Sequence, residues 1–196
     1  WSSDVCSSDL YRVVPAGTTG YRGLRESAAW IDLSTRGKIR MTGEDRVRLL
    51  HAMTTQNIQQ MMVNSGGYTF FLNAQGRILG DANVFRCDDF LLLDTEPETR
   101  QKLYEHIDRY IIADDVTLED ATERTATIAI EGPDAVAVLQ SLGAPVPDAA
   151  FGTAPWGART VARVDSTGAG GYFIFLPYEE KAALTAALAS AGIPEA

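Results

Sequence analysis

Leu72-Asn73-Ala74-Gln75-Gly76-Arg77-Ile78-Leu79-Gly80-Asp81 is the stretch on which the reading of this chain turns. Tyr68 to Leu72 is apolar and aromatic, as a strand is, and Asn73 to Gly76 supplies turn chemistry. Arg77 to Phe85 reads as the returning strand, so the segment is a β-hairpin. With side chains alternating along a strand, Arg77, Leu79 and Asp81 are expected on one face. A guanidinium and a carboxylate on a strand that otherwise buries apolar groups can be a binding site. On the pattern alone, a solvated face with a surface ion pair is the simpler account.

Working outward, Lys38-Ile39-Arg40-Met41-Thr42 alternates polar and apolar residues, as a half-buried strand does. Thr42 and Asp45 form a capping-box-like start for a helix running to about Met53, with Val47, Leu50 and Met53 on one face. After the hairpin, Asp88-Asp89 turns the chain into a strand over Phe90 to Asp94. Pro97 then opens a helix with Leu103, Ile107 and Tyr110 along one face, closed by Asp114-Asp115. Val116 to Leu118 is strand-like. The pattern restarts with a strand over Ala126 to Ile130, and Gly132-Pro133-Asp134 opens a helix ending at Gly143. Strands over Arg159 to Val164 and Tyr172 to Leu176 and an alanine-rich helix over Glu179 to Ala191 complete the chain. Helices alternating with hairpin strands predict an α+β fold of mainly antiparallel sheets with packed helices. Residues 1–30 read as a leader, 31–122 as a first lobe and 123–196 as a second, with a weak internal repeat between the lobes. The serine-rich first ten residues, beginning at Trp1, read as foreign to the fold, and the chain as the N-terminal fragment of a longer protein.

Composition narrows the function. The 196 residues are 45% hydrophobic and 22% charged, ordinary for a globular protein. A net charge of −9 argues against a nucleic-acid partner, which needs a basic surface, but not against a small anionic ligand in a local basic pocket. No apolar run approaches the roughly 20 residues of a membrane span, so no membrane association is expected. Cys6 and Cys87 form neither a disulfide framework nor a metal cluster, which fits a reducing, cytoplasmic setting. His51 and His106 fall on separate helices without acidic or cysteine partners at ligand spacing, so no metal site is expected. Thr167 to Gly171 is glycine-rich but lacks a following Lys-Ser/Thr and leads into a strand, which excludes a phosphate loop.

Beyond the hairpin, several runs recur in a fixed order. They are Asp32-Leu33-Ser34, Gly43-Glu44-Asp45-Arg46, Leu49-Leu50-His51, Thr54-Thr55-Gln56-Asn57-Ile58, Arg109 to Val116, Ile128 to Pro133 and Thr167 to Tyr172. In order and spacing the set resembles the folate-binding GcvT/YgfZ family: the aminomethyltransferase (T-protein) and YgfZ proteins. The resemblance implies a GcvT/YgfZ-like folate-binding fold. It also implies tetrahydrofolate, or a one-carbon derivative, as ligand. Tyr68 and Asp81 match the T-protein's folate-contacting tyrosine and aspartate, with Asp81 nearest the reactive N5/N10 edge and so the catalytic candidate. Met41 and Phe85 match positions lining the pterin or aminobenzoate. Arg77 and Asn73 of the hairpin complete the implied ligand-binding set.

This sequence departs from the T-protein at Ser166, where that family has a tyrosine, and at Phe173, where it has a pterin-binding glutamate. A phenylalanine cannot make the paired hydrogen bonds of a glutamate to an amino-pyrimidinone edge. The Arg109 to Val116 run and the Gly76 to Asp81 hairpin are closer to YgfZ. The resemblance therefore implies a tetrahydrofolate-binding protein supporting iron–sulfur protein assembly or repair, with iron–sulfur clients as partners. An aminomethyltransferase of the glycine cleavage system, or a ligand-free interaction module on the same fold, are the alternatives.

Overall fold

The hairpin forms the edge of a sheet. The computed structural model describes residues 19–196, and in it β3 (Ser65–Leu72) pairs antiparallel with β4 (Ile78–Arg86) around a turn at Gly76, whose φ is +75°. The register shifts there: Leu72 faces Ile78 but Phe71 faces Gly80, so Leu79 is an extra residue in β4. This bulge breaks the expected alternation. Leu79 packs toward the helices with Ala82 and Val84, and Asp81 lies on the opposite face.

The remaining strands complete two sheets. β2 (Gly37–Thr42), β5 (Leu91–Thr95) and β6 (Thr117–Asp120) extend the hairpin into a five-stranded sheet of order β3-β4-β5-β2-β6. β1 (Ala29–Asp32), β7 (Thr125–Glu131), β8 (Thr153–Trp156), β9 (Arg159–Ala162) and β10 (Gly171–Pro177) form the other, in order β1-β7-β10-β9-β8. All these pairings are antiparallel. Two helices, α2 (Arg46–Met53) and α3 (Pro97–Asp108), cover the first sheet through Leu49, Leu50, Leu103 and Ile107. On the second sheet, α4 (Ala135–Ser141) and α5 (Lys181–Ser190) pack through Val138, Leu139, Leu184 and Leu188. The inner faces of the sheets meet through Phe85 and Leu92 on one side and Ala129, Ala162, Phe173 and Phe175 on the other. The α+β expectation holds as a helix–sheet–sheet–helix sandwich.

The weak repeat seen in the sequence is complete in topology. Reading β2, α2, β3, β4, β5, α3 against β7, α4, β8, β9, β10, α5 superimposes the two strand orders, with β1 standing where β6 stands. Ile39, Gly43, Asp45, Val47 and Leu50 recur at the same spacing as Ile128, Gly132, Asp134, Val136 and Leu139. The hydrogen bonds recur too: Asp45 N–H donates to Asp115 O just before β6 (3.2 Å), and Asp134 N–H to Ser27 O just before β1 (2.8 Å). Gly43 and Gly132 hold φ of +99° and +122°, and a methyl on either would overlap those same carbonyl oxygens.

Several local expectations are corrected. The leader expectation for 1–18, and with it Cys6, lies outside the described residues. From 19 the chain is structured: α1 (Thr19–Glu26) precedes β1, and Ala28 and Ala29 are buried. No capping box forms at α2; Asp45 is its N-cap and turns its carboxylate to Asp115 N–H and Arg48. Helix α3 stops at Asp108, leaving Tyr110 half-exposed beyond it. β8, with a proline and few β-formers, had no expectation at all. Among the described residues, no helix is long and apolar enough to cross a membrane.

Candidate functional site

The inner face of the first sheet carries a polar row. Tyr68, Asn83, Asp94 and Lys38 are direct cross-strand neighbours on β3, β4, β5 and β2. Asp81 stands one position along β4 on the same face and accepts a hydrogen bond from the Tyr68 hydroxyl. Tyr68 is 47% exposed, so this end of the row is open to a ligand. The bond to Asp81 and, secondarily, burial push the Tyr68 phenol up to about 12. The phenol therefore stays a hydrogen-bond donor at neutral pH.

The other end of the row is closed. Asp94 is fully buried and accepts from Arg36 Nε through both oxygens (3.0 Å) and from Asn83 Nδ2 (3.1 Å). Arg36 also pairs with Glu96, and its own pKa is raised by Asp94 and Glu96 against the opposing effect of burial. Lys38, also fully buried, donates to Ser34 O (2.8 Å) and Leu33 O (3.3 Å). Burial lowers its ammonium to about 8, against the opposing pull of Asp94. Asp81 is tied to this base through its backbone: Thr95 Oγ1 donates to Asp81 O (2.6 Å). The arrangement presents one carboxylate and one phenol on a rigid, hydrogen-bonded support, able to accept from or polarise an amine of a bound ligand.

The structure brings Tyr68 and Asp81 together but separates the other expected residues from them. Met41 is wholly enclosed between the first sheet and its helices, and Phe85 between the two sheets, so neither offers a surface to a ligand in this structure. Both are expected at the ligand only through the family resemblance; the second sheet, a non-local partner, covers Phe85. Asn73 spends its side chain on the turn, where Oδ1 accepts from Gln75 N–H and Arg77 N–H (both 2.9 Å). It lines a cavity of about 560 Å³ on the helix side, with His106 and Asp114. Arg77 is exposed at the hairpin tip and makes no ion pair with Asp81 among the described residues, because the bulge intervenes. The two departure positions are both occupied structurally. Ser166 Oγ donates to Glu131 (2.7 Å), a buried carboxylate that also takes Thr167 Oγ1 (3.0 Å). Burial raises the Glu131 pKa and these hydrogen bonds partly offset it. Phe173 lies in the inter-sheet cluster, edge-on to Phe175 at 6.3 Å.

Arg36, Asn83 and Asp94 belong to the site without having been singled out from the sequence. The available signals were Asp94 closing the apolar run Leu91-Leu92-Leu93, and Lys38 opening a strand whose other members are buried. Among the described residues, no group of three or more His, Cys, Asp or Glu is placed to hold a metal ion.

Comparison with known proteins identifies the family and the fold. The family description "GCVT N-terminal domain" matches residues 13–195. An aminomethyltransferase of Chlorobaculum parvum is 32% identical over 187 residues, covering 88% of this chain and 50% of that protein. A putative chloroplastic transferase of Arabidopsis thaliana is 33% identical over 113 residues, 57% of this chain and 26% of that protein. The solved structure of the glycine cleavage system aminomethyltransferase T from Bartonella henselae superimposes with a TM-score of 0.77 at 22% identity, over 83% of this chain and 45% of that one. The chain thus spans about half the length of the curated aminomethyltransferases it matches. It belongs to the family defined by the GCVT N-terminal domain.

Proposed function

We propose that this chain is the folate-binding N-terminal part of an aminomethyltransferase-type protein, with tetrahydrofolate or a one-carbon derivative held against the open face at Tyr68 and Asp81. The observation that carries the reading is the Tyr68–Asp81 pair itself. A carboxylate and a phenol are locked to each other on an exposed sheet face, over a support of buried polar groups. Asp81 takes the ring amine as donor or stabilises it as a cation, and Tyr68 orients the carboxylate. The identity to aminomethyltransferases over nearly the whole chain supports this choice of chemistry.

A second reading rests on Phe173. An aromatic side chain packed between the sheets, where the T-protein has its pterin glutamate, favours a folate-binding accessory protein of the YgfZ type, acting on iron–sulfur clients without aminomethyl transfer. Calorimetric titration of the full-length protein with tetrahydrofolate, alongside Asp81→Asn, tests the shared site. No heat up to millimolar ligand, or unchanged affinity in the variant, overturns it. Aminomethyl transfer in the presence of the other glycine-cleavage components separates the two readings: turnover supports the transferase, and binding without turnover the accessory protein.

A further inference from the structure

The repeat places a second, different site in the other half. The positions equivalent to Arg36, Asp81, Asn83, Asp94 and Glu96 are Thr125, Ala158, Thr160, Phe175 and Pro177, because Lys38 faces Asp94 as Thr127 faces Phe175, and Asn83 faces Asp94 as Thr160 faces Phe175. In the first half these positions are filled by an interlocked polar network. In the second half the same five residues line an open cavity of about 370 Å³, within the range of small-molecule sites. Leu176 and Glu179 of the same half line it too, and the opposite wall comes from the first sheet and the turn that follows β6. Phe90 and Leu92 extend the apolar floor given by Phe175, and Arg40 and Arg124 bring two guanidiniums to it.

We propose that this cavity binds a planar aromatic or heteroaromatic carboxylate. The floor supplies flat apolar contact. The Arg40 guanidinium lies 4.4 Å from the centre of the Phe90 ring, so a planar ligand entering there meets stacking surface and positive charge together. Arg40 retains capacity for an anion: its side chain makes no hydrogen bond among the described residues, and its only ion pair there, with the well-exposed Asp89, is a loose 3.7 Å. Arg124 is already paired with Glu119 and adds charge more than a dedicated contact. Glu179 is the single carboxylate among the lining residues, against two guanidiniums whose own carboxylate partners, Asp89 and Glu119, lie outside the lining. The Thr125 and Thr160 hydroxyls are left to meet ring heteroatoms. This site is separate from the Tyr68–Asp81 face and does not depend on folate binding there.

The test uses 2-naphthoate as the acidic probe and 2-naphthamide as its neutral match, titrated into the isotopically labelled full-length protein and followed by amide NMR shifts. Shifts should concentrate at residues 124–125, 158–160 and 175–176, with the amide weaker than the acid by about tenfold, the value of one charge-assisted hydrogen bond. Arg40→Met should weaken the acid by a similar factor and leave the amide unchanged, while Asp81→Asn should alter neither. Absence of shifts up to several millimolar acid, equal binding of acid and amide, or loss of binding in Asp81→Asn each overturns the proposal.

Discussion

Tyr68 and Asp81 meet on a diagonal: Tyr68 is registered against Asn83, and its hydroxyl reaches past that residue to the Asp81 carboxylate on the same strand. Diagonal neighbours on an antiparallel pair are within reach only of long side chains. A tyrosine suits the span, and its ring edge also stacks on Phe70, 5.1 Å away. The pair is thereby set before any ligand arrives.

Its titration reports the contact. Tyr68 is held at about 12 mainly by its bond to Asp81, above the usual value near 10. Asp81→Asn should return it toward 10, read as the phenolate difference spectrum between each protein and its Tyr68→Phe counterpart. The sign for stability follows. A raised folded pKa stabilises fully below pH 10, and that contribution is lost as pH rises to 12. The wild type should therefore lose its stability advantage over Tyr68→Phe across that window. Identical Tyr68 titration in Asp81→Asn would show that the pair does not exist in solution.

Lys38 titrates with the opposite consequence. Its ammonium falls from 10.5 to about 8 through burial, so the unfolded chain holds more protons between those values and stability should rise with pH across that interval. Integrated over the shift, this is on the order of 3 kcal/mol at most. In Lys38→Met the rise should vanish. Urea midpoints measured at steps from pH 7 to 10.5 decide it; parallel curves for the two proteins refute the lowered pKa.

Asp94 balances the two buried cations. Removing it in Asp94→Ala leaves Arg36 with Glu96 alone, takes the facing carboxylate from Lys38 and leaves Asn83 Nδ2 without an acceptor. The expected cost is about 3–5 kcal/mol. The paired change Asp94→Leu with Arg36→Met should cost less than Asp94→Ala alone, since apolar side chains of similar size then fill both positions. A denaturation loss below about 1 kcal/mol for the single variant contradicts the burial of this network.

How much of this was legible in the residues depends on range. The β3–β4 hairpin, the start of α3 at Pro97 and the closure of α4 at Gly143 are local events with local signatures, and they stand where the sequence puts them. The bulge at Leu79 is also local but leaves no mark in an apolar run, so it misplaced Arg77 relative to Asp81. What lay beyond reach was the choice of partner. β1 joins the second sheet beside β7 rather than the first beside β2, and the covering of Phe85 by Phe175 (5.4 Å) links residues ninety apart in sequence. Lys38 misled for the same reason. A charged residue alternating with apolar ones marks a solvated face unless something covers it, and here the chain around Leu33 and Ser34 does, accepting its hydrogen bonds.

The repeat makes paired glycine predictions. Gly43→Ala and Gly132→Ala each force a side chain into a positive-φ position against a carbonyl that the N–H of the aspartate two residues on already uses. Each should cost about 1–3 kcal/mol or more. Gly143→Ala shares a positive φ (+68°) but meets open space, and should cost about 1 kcal/mol. Thermal unfolding of the three variants should group the first two apart from the third; if all three behave alike, the carbonyl contacts are not structural.

Phe173→Glu is the most discriminating change. Phe173 is buried in the inter-sheet cluster with Phe85 and Phe175, where full burial of such a side chain contributes about 1.5–3 kcal/mol. A carboxylate placed there is buried against apolar side chains, which favours its neutralisation or an opening of the sheets. If the aromatic cluster is the settled core of this protein, Phe173→Glu should lower stability by several kcal/mol, more at pH 8 than at pH 5, because protonation relieves the buried charge. Tetrahydrofolate affinity should then fall or stay the same. If instead the position opens onto the ligand, as the T-protein resemblance implies, the glutamate should be tolerated and should tighten tetrahydrofolate binding through its paired hydrogen bonds. Denaturation at the two pH values and calorimetry on the same variant give opposite pairs of results. The packing of Phe173 between the sheets favours the first pair.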